Sequence, residues 1–584
     1  MKKTVNKTRL KIVIAALCLL PLAGLLSCED MLKTDNEHYL NTDGHELNSP
    51  NDTLYSMAGI LRKMQAIADR YVLVGELRGD LLDITENASL DFQAIHNFDF
   101  GMTENNPYTD TRAYYDIINN CNFFIQRADT TVMAAGQQVM IKELAAVQTI
   151  RAWVYMQLIL NYGKACYYEE PVLTVEDMNR IKKDPSVWIS DLSVLLDRLQ
   201  DQLLKAREVQ LLIGNPSYTG MPYTDQVFIP ATLVLGDLYL YTGNPASAAV
   251  QYHDYLYFSR RNTNGRILYW SNEGFTGISI ITGSSELISL IYTTTENETG
   301  SYLRGWCYPS QWSNRLGIEC SYQLKPSIAS RYICETQDYA WLADNARPQD
   351  EPTYTTGDLR GIIKRVDNSG TYSTYSEMGS IPYSSTVPGD AYAYFLTSES
   401  DTVPFIIKYA LPGTGNNSNG LSYIYRTGMV YLRYAEALSR MGKPTLAFAI
   451  LKYGALNTVF NDPTKVNPDE VTTPLPDYCN FPEIIFPNQR SMHSRGSGDS
   501  GRNAFYVIPA DVDTARFVDE KICEEMAIES AFEGNRFHDL MRFANYYGEE
   551  FLADHVARRR NTETPDPALK AKLMIRQNWY LPHN

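Results

Sequence analysis

Several familiar signatures of enzymes and nucleic-acid-binding proteins are missing from this chain of 584 residues. With 52 Lys and Arg against 68 Asp and Glu, the net charge is −16, so there is no positive field to hold a phosphate backbone. The sequence has no HExxH motif, no Walker loop and no GxGxxG turn after a strand, which removes the usual metalloprotease, NTPase and dinucleotide-binding classes. We therefore predict no catalytic residues, no metal and no cofactor, although the sequence leaves open whether Ca²⁺ supports the fold.

Cysteine is also sparse, with nine residues and no CxxC spacing. Seven of the nine lie beyond the first thirty residues, and this odd number favours buried thiols over a full disulfide framework. The sequence leaves open whether two of the residues Cys307, Cys320 and Cys334 form a disulfide.

The first thirty residues predict an export signal. Five basic residues among the first eleven precede fifteen mostly apolar residues, 12–26, a run too short to span about 30 Å of hydrocarbon comfortably. The sequence LLSC at 25–28 resembles a bacterial lipobox, so we predict a lipoprotein signal peptide at 1–27 and acylation of Cys28. The alternative is an ordinary secretory cut with a buried Cys28. No later apolar run reaches eighteen residues, and we expect no other segment to cross a membrane.

Apolar residues recur at helical spacing in four segments, 111–160, 186–205, 228–257 and 429–454. The last two contain hairpin turns, GNP at 243–245 and GKP at 442–444, in which Gly accepts the left-handed backbone that ends a helix and Pro opens the next helix. Alanines near both turns allow close helix crossing, as tetratricopeptide-type hairpins require. Because about two hundred positions separate the two hairpins, the repeats are not one uninterrupted array along the sequence.

Tyrosine is in excess, with 41 residues, and its flat apolar ring with a hydroxyl group suits half-wet recognition surfaces. Residues 262–425 contain 16 Tyr and four of the seven Trp but no sustained period. Loops of this length in a compact protein are usually functional or disordered, and the aromatic content favours an ordered, functional insertion.

The densest group of candidate binding residues lies at 302–314. Flat rings can stack on the apolar faces of a ligand, while amide, guanidinium and carboxylate groups at the rim pair with its polar groups. The alternative is that Trp306 and Trp312 fill core beneath a loop. The candidate ligand-binding residues are Trp306, Trp312, Tyr308, Tyr302 and Arg304, with Trp270 and Tyr108 as weaker members.

Four segments resemble the SusD/RagB family of Bacteroidetes surface lipoproteins. They are RAWVY at 151–155 with NYG at 161–163, LYLYTGN at 238–244, LRYAEAL at 432–438 with GK at 442–443, and FEGNRFHDLMR at 532–542. With the lipobox, these landmarks extend from residue 28 to beyond 542. No single motif is decisive, but five in the right order are highly specific.

The resemblance implies a mainly α fold. It consists of a tetratricopeptide-like helical-hairpin scaffold, SusD-like, at about 40–260 and 426–584, and a loop-rich, aromatic-rich ligand-binding half at about 262–425 with few short strands. Residues 28–584 would form one such domain.

The same resemblance implies a surface-exposed, lipid-anchored outer-membrane protein that captures an oligosaccharide or polysaccharide. It would deliver this glycan to a SusC-like TonB-dependent channel, bind no nucleic acid and catalyse no reaction. Two alternatives remain, a binder of peptide or protein substrates of the RagB type and a surface glycoside hydrolase, because 68 acidic residues could include a catalytic pair.

Glu525, Glu529 and Glu533 lie on one helix face at i, i+4 and i+8. They could be catalytic carboxylates, but we favour an ion-pair network between helices, with Arg536 and Arg542 within reach.

Overall fold

Helices make up most of the part of the chain that the structure, a computed structural model, describes. The described residues are 47, 50–134, 136–217, 224–258, 286–293, 301–307, 321–330, 333, 365–366, 372–373, 392–396, 402–406, 420–487, 489–494 and 506–583. Every element named below lies in one compact unit, residues 48–584. The mainly α fold class is thereby confirmed.

The helices in these residues follow the chain in this order: α1 (Pro50–Gln65), α2 (Ala68–Glu76), α3 (Leu90–His96), α4 (Arg112–Arg127), α5 (Ile141–Tyr162), α6 (Val175–Lys183), α7 (Leu192–Leu212), α8 (Ala231–Tyr241), α9 (Pro245–Phe258), α10 (Leu303–Cys307), α11 (Thr427–Arg440), α12 (Pro444–Lys452), α13 (Asn457–Phe460), α14 (Thr514–Glu529), α15 (Arg536–Tyr547), α16 (Glu549–Ala557) and α17 (Pro567–Leu573). Short 3-10 turns lie at Phe100–Met102, Pro185–Val187, Thr224–Val227, Pro468–Glu470, Asp477–Cys479 and Arg576–Trp579.

The strands are short: β1 (Leu82–Ile84), β2 (Met133–Ala134), β3 (Gln137–Gln138), β4 (Ala165–Cys166), β5 (Trp188–Ile189), β6 (Leu287–Thr293), β7 (Leu324–Pro326), β8 (Arg365–Val366), β9 (Tyr372–Ser373), β10 (Tyr392–Leu396), β11 (Thr402–Ile406) and β12 (Gly420–Arg426). They form antiparallel pairs, β1 with β7, β2 with β3, β4 with β5, β6 with β12, β8 with β9 and β10 with β11.

Both predicted hairpin turns are present, because the sequence supplies the backbone conformations that they need. Gly243 and Gly442 have φ of +76°, and the prolines two residues later are the first residues of α9 and α12. In each turn the amide three residues after the helix end donates to a carbonyl five residues back, Asn244 to Tyr239 at 2.8 Å and Lys443 to Leu438 at 3.1 Å. These bonds satisfy carbonyls that the helix ends would otherwise leave without donors.

The two hairpins are neighbours in space. α8 packs on α9, α9 on α11 and α11 on α12, so the scaffold continues directly from one hairpin to the other. Before the first hairpin, α4 packs on α5, α5 on α7 and α7 on α8, and after the second hairpin α14 packs on α12. The repeat array, interrupted in sequence, is therefore continuous in the fold.

The predicted glutamate network is present, but two details of the prediction are wrong. α14 ends at Glu529, so Glu533 lies in the turn that follows and does not share the helix face of Glu525 and Glu529. The predicted partners are also wrong. Glu529 and Glu533 accept hydrogen bonds from Arg426, at the end of β12, at 2.9 and 2.8 Å. The carboxylate of Glu525 accepts from Nδ1 of the His493 ring, with Nδ1 and Oε1 2.7 Å apart. All three glutamates are buried and paired within the framework.

The two arginines nominated as their partners bind other carboxylates. Arg536 donates to Asp80, which follows α2, at 2.6 and 2.8 Å, and Arg542 donates to Glu436 of α11 at 2.8 to 3.1 Å. Spacing along one helix could not reveal these pairs because each joins elements that are distant in sequence.

Several sequence-based predictions lie outside the described residues. These are the signal peptide at 1–27 with Cys28, and the candidate residues Trp270, Tyr308 and Trp312. Five described cysteines, Cys121, Cys166, Cys307, Cys479 and Cys523, are free and buried, so a disulfide that involves Cys307 is excluded. Among the described helices, none combines the length and the apolar character that a membrane crossing needs.

Candidate functional site

Three residues nominated from the sequence, Tyr108, Tyr302 and Trp306, lie in one aromatic cluster. The rings of Tyr302 and Trp306 are stacked, with centroids 5.8 Å apart and planes inclined by 25°. Tyr108 meets Trp306 edge-on at 5.8 Å, and Phe92 of α3 meets Trp306 edge-on at 5.0 Å. Stacked and edge-on arrangements are the favourable geometries for aromatic pairs. We call these four side chains the aromatic platform.

Burial divides the platform into an exposed ring and its support. The Tyr302 side chain is 70% exposed, whereas Trp306 is 9% and Phe92 1% exposed. Trp306 therefore fills core, as the alternative interpretation of the sequence held, and it supports Tyr302 from beneath. Arg304 is 4% exposed, so its guanidinium does not belong to the exposed face. A ligand-binding role for each of these residues stays a prediction.

Asp69 of α2 fixes the backbone of Tyr302. Its carboxylate accepts hydrogen bonds from the Tyr302 amide at 2.7 Å and from the Ser301 hydroxyl at 2.6 Å. Gly420 of β12 leaves room for this corner, because a Cβ atom there would lie 2.3 Å from Ser301 Cβ. The exposed ring thus stands on a backbone that two separate elements hold in place.

Tyr108 is placed by a loop whose turn is set by Asn106. The Asn106 side chain accepts from the Tyr108 amide at 3.0 Å and donates to the Asp91 carbonyl of α3 at 2.9 Å. Such Asx turns are a usual way for Asn to replace a backbone turn. Arg70 of α2 then donates to the carbonyls of Pro107, at 2.8 Å, and Asp110.

The backbone of α10 ties the platform to β7 and α3. The Trp306 carbonyl accepts from the Gln323 amide at 2.8 Å, just before β7. Gln323 Oε1 in turn accepts from the amide of Ser89, the N-cap residue of α3, at 2.8 Å. The support of the platform is therefore rigid secondary structure, which lowers the ordering cost of binding a ligand there.

Two carboxylates and one guanidinium lie near the Tyr108 hydroxyl, those of Asp69, Asp91 and Arg70. Burial, together with the nearby carboxylates of Asp69 and Asp91, raises the pKa of Tyr108 to about 12, so its hydroxyl remains a hydrogen-bond donor at neutral pH. Burial also raises the pKa of Asp69 to about 6, while the hydrogen bonds from Ser301 and Tyr302 oppose that shift. An exposed ring with a hydroxyl and neighbouring carboxylates suits a neutral polyhydroxylated ligand better than an anion.

Replacing Asp69 with Asn should remove a pH dependence of stability. Since its folded pKa of about 6 exceeds the ordinary value of 3.8, the folded protein holds one more proton between these pH values than the unfolded chain. The contribution of Asp69 to the free energy of unfolding therefore falls as pH rises from about 4 to about 6. Urea unfolding of wild type and Asp69→Asn across pH 4–7 should show the variant gaining stability relative to wild type.

The exposed Asp197 of α7 provides the control. Asp197→Asn should follow the wild-type pH curve in parallel. If Asp69→Asn also runs parallel to wild type, the carboxylate is not desolvated as described.

Phe92 and Asp69 are the members of this site that the sequence did not nominate. Phe92 belongs to a seven-residue helix, too short for a clear period, and Asp69 reaches Ser301 and Tyr302 across more than two hundred residues. Within the described ranges, no group of three or more His, Cys, Asp or Glu side chains could hold a metal ion.

Comparison with known proteins places these features in context. Residues 353–582 match the sequence profile of the SusD family. A SusD-superfamily protein from Bacteroides thetaiotaomicron VPI-5482 has a similar fold, with a TM-score of 0.55 and 16% identity over 92% of this chain and 95% of that one. No curated protein sequence matches the chain.

Two further solved structures have names that indicate a biological context. NanU of B. fragilis has a TM-score of 0.53 and 15% identity, over 91% of this chain and 95% of its own. A laminarin-binding SusD-like protein has a TM-score of 0.50 and 15% identity, over 90% of this chain and 95% of its own. At these identities the likeness establishes a shared fold.

Proposed function

We propose that this chain, a member of the SusD family, binds glycans on the aromatic platform and does not cleave them. The observation that carries the proposal is the 70% exposed Tyr302 ring, stacked on the buried Trp306 and fixed through its backbone by Asp69. The laminarin-binding SusD-like protein, whose fold the chain shares, supports a glycan as the ligand class.

The physical argument concerns the cost of binding. A sugar ring that stacks on Tyr302 displaces poorly bound water from an apolar face, and its hydroxyls can pair with polar groups at the edge. The tyrosine ring loses little side-chain freedom because Trp306 and the pinned backbone already restrict it. A shallow surface of this kind favours moderate affinity, which suits a protein that must release its ligand unchanged.

Truncation of Tyr302 is the direct test. We expect Tyr302→Ala to weaken glycan binding by roughly 30-fold, since an exposed aromatic anchor contributes about 2 kcal/mol. Tyr302→Phe keeps the ring and should bind within a few-fold of wild type. Isothermal titration with laminarin and a panel of other soluble glycans measures both.

Tyr546, which is 60% exposed on α15, is the matched control, and Tyr546→Ala should bind like wild type. Unchanged affinity of a folded Tyr302→Ala would remove the platform from the proposal. Binding of peptides but no glycan would favour the peptide binder of the RagB type, and release of reducing sugar would favour a glycoside hydrolase.

We further propose that Cys28 carries a lipid and that the protein works at the surface of the outer membrane with a SusC-like TonB-dependent channel. The lipobox at 25–28 supports the anchor. The continuous layer of helical hairpins offers a broad, rigid surface on which such a channel could dock.

Labelling of cells with radioactive palmitate should mark the wild-type protein and not Cys28→Ser. Cys18→Ser, which changes a cysteine inside the predicted signal peptide, should still be labelled. Detergent extracts of labelled cells should yield a large β-barrel protein together with the chain, and its repeated absence would contradict the transport role.

A further inference from the structure

A second site, separate from the platform face of α3, lies where the C-terminal helices meet the end of that helix. It is a pocket of about 220 Å³, with room for several water molecules at ~30 Å³ each or for one oxyanion group and part of its parent molecule. The lining residues are Asn97, Ala557, Arg559, Arg560, Asp566, Ala568, Leu569 and Lys572. We call this cavity the basic pocket, because three cationic side chains and one carboxylate line it.

Arg559 is the most unusual member of this lining. Its side chain is 3% exposed, and Nη2 donates to the carbonyl of His96 at 2.7 Å. Its Nε and Nη1 have no hydrogen-bond partner among the residues that the structure describes. A buried guanidinium with N–H groups left unpaired is costly unless another group satisfies them.

Lys572 of α17 adds a second cation without a carboxylate partner in the described residues. Its ammonium group donates to two neutral carbonyls, of Asn97 at 3.2 Å and of Phe98 at 3.0 Å, at the C-terminal end of α3. These bonds hold the charge at the pocket without neutralising it.

Of the other two charged residues in the lining, Arg560 is paired with a carboxylate, whereas Asp566 accepts from neutral amides, so the pocket also contains a carboxylate. Arg560 donates to Asp83 from Nε at 3.0 Å and from Nη2 at 2.8 Å. Asp566 uses one carboxylate oxygen to cap α17, accepting from the amides of Ala568 and Leu569 at 2.9 and 3.1 Å. Burial, and then the neighbouring Arg560, lower the pKa of Arg559 to about 9, although the carboxylates of Asp83, Asp566 and Asp80 act in the opposite direction.

We propose that the basic pocket binds a small oxyanion, a carboxylate or sulfate group, through Arg559 and Lys572. An oxyanion there would accept charge-assisted hydrogen bonds from the unpaired N–H groups of Arg559 and would balance the charge of Lys572. This site does not depend on the glycan-binding platform, because none of its lining residues belongs to the platform.

Titration with three probes at constant ionic strength tests the proposal. Wild type should bind sodium sulfate, or glucuronate, or both, and should not bind glucose at this site. Binding of sulfate as tightly as glucuronate identifies a free oxyanion as the ligand class, whereas binding of glucuronate alone identifies a sugar acid. Failure of wild type to bind either anion at millimolar concentration would overturn the proposal.

Substitutions locate the binding. Lys572→Gln should weaken anion binding about tenfold or more, the effect expected from the loss of one charged hydrogen-bond partner. Arg559→Gln should weaken anion binding further. If this substitution of a buried residue prevents folding, Lys572→Gln alone still tests the proposal. Lys570→Gln on the same helix removes the same charge, but Lys570 pairs with Glu550 and Asp554 and does not line the pocket, so anion binding should be unchanged. Equal weakening by Lys570→Gln and Lys572→Gln would show a general charge effect and contradict the site.

Discussion

Replacing Arg426 with methionine is expected to lower the free energy of unfolding by about 3–5 kcal/mol, because it leaves buried carboxylates without their cation. Arg426 is fully buried at the end of β12. Its guanidinium donates to Glu533 at 2.8 Å, to Glu529 at 2.9 Å and to Glu286 at 3.2 Å. One guanidinium therefore binds three buried carboxylates, two from the 529–533 segment and one from Glu286.

The loss should depend on pH. Burial alone would lower the pKa of Arg426, but the three glutamates raise it well above its ordinary value, so the wild-type cation persists at every accessible pH. In Arg426→Met, buried carboxylates that have lost this cation would have folded-state pKa values above their unfolded values, and the free energy of unfolding would fall as pH rises. We expect the free energy of unfolding of Arg426→Met to lie furthest below that of wild type near pH 7. The difference should be smaller near pH 5, and urea unfolding at both pH values measures it.

An exposed arginine provides the control that distinguishes loss of the buried Arg426 cluster from loss of an ordinary surface ion pair. Arg180 pairs with Asp177 at 3.1 Å on α6, and its side chain is 69% exposed. Exposed pairs contribute about 0–1 kcal/mol, so Arg180→Met should have a small effect that does not narrow toward low pH. Similar losses for the two variants would mean that the buried cluster is not a stabilising unit.

The same cluster shows what the sequence could and could not predict. The sequence correctly assigned Glu525, Glu529 and Glu533 to an ion-pair network, although only the first two lie on α14. It could not identify Arg426 as the partner, because the approach of β12 to the end of α14 is set by tertiary packing. The hairpins were predictable for the opposite reason, since Gly243 and Gly442 specify their turns within a few residues.

The candidate site also contains some residues that the sequence could predict and others that it could not. Trp306 lies in α10, and Tyr302 immediately precedes this helix. Because the two residues are only four positions apart, a local sequence pattern was enough to nominate both. Tyr108 was a weaker candidate because nothing local indicates that its loop meets α10. Asp69 could not be found from the sequence, since an acidic residue in the first turn of α2 is ordinary helix chemistry until Tyr302 is placed beside it.

The close approach of two glycines gives the second large expected effect. A Cβ atom at Gly75 of α2 would lie 1.9 Å from the carbonyl oxygen of Gly534. Gly534 has φ of +90°, and its amide donates to Glu76 at 2.8 Å, so this turn has little freedom to retreat. Because the obstructing atom is backbone and cannot rotate away, we expect Gly75→Ala to lower the free energy of unfolding by about 3 kcal/mol, at the upper end of the usual cost of overpacking.

Gly59 of α1 supplies the control, because its replacement by alanine should raise the free energy of unfolding. Gly59 is exposed within a helix, and a Cβ atom there would meet nothing within 4 Å. Gly59→Ala should therefore raise the free energy of unfolding by about 0.5–1 kcal/mol, the usual gain in helix propensity. Both variants are measured by urea unfolding at pH 7, and a Gly75→Ala protein as stable as wild type would contradict the packing described here.

α2 also carries Asp69, which holds the backbone of Tyr302. If this helix keeps Tyr302 in place, a folded Gly75→Ala protein should bind glycans less tightly than Gly59→Ala.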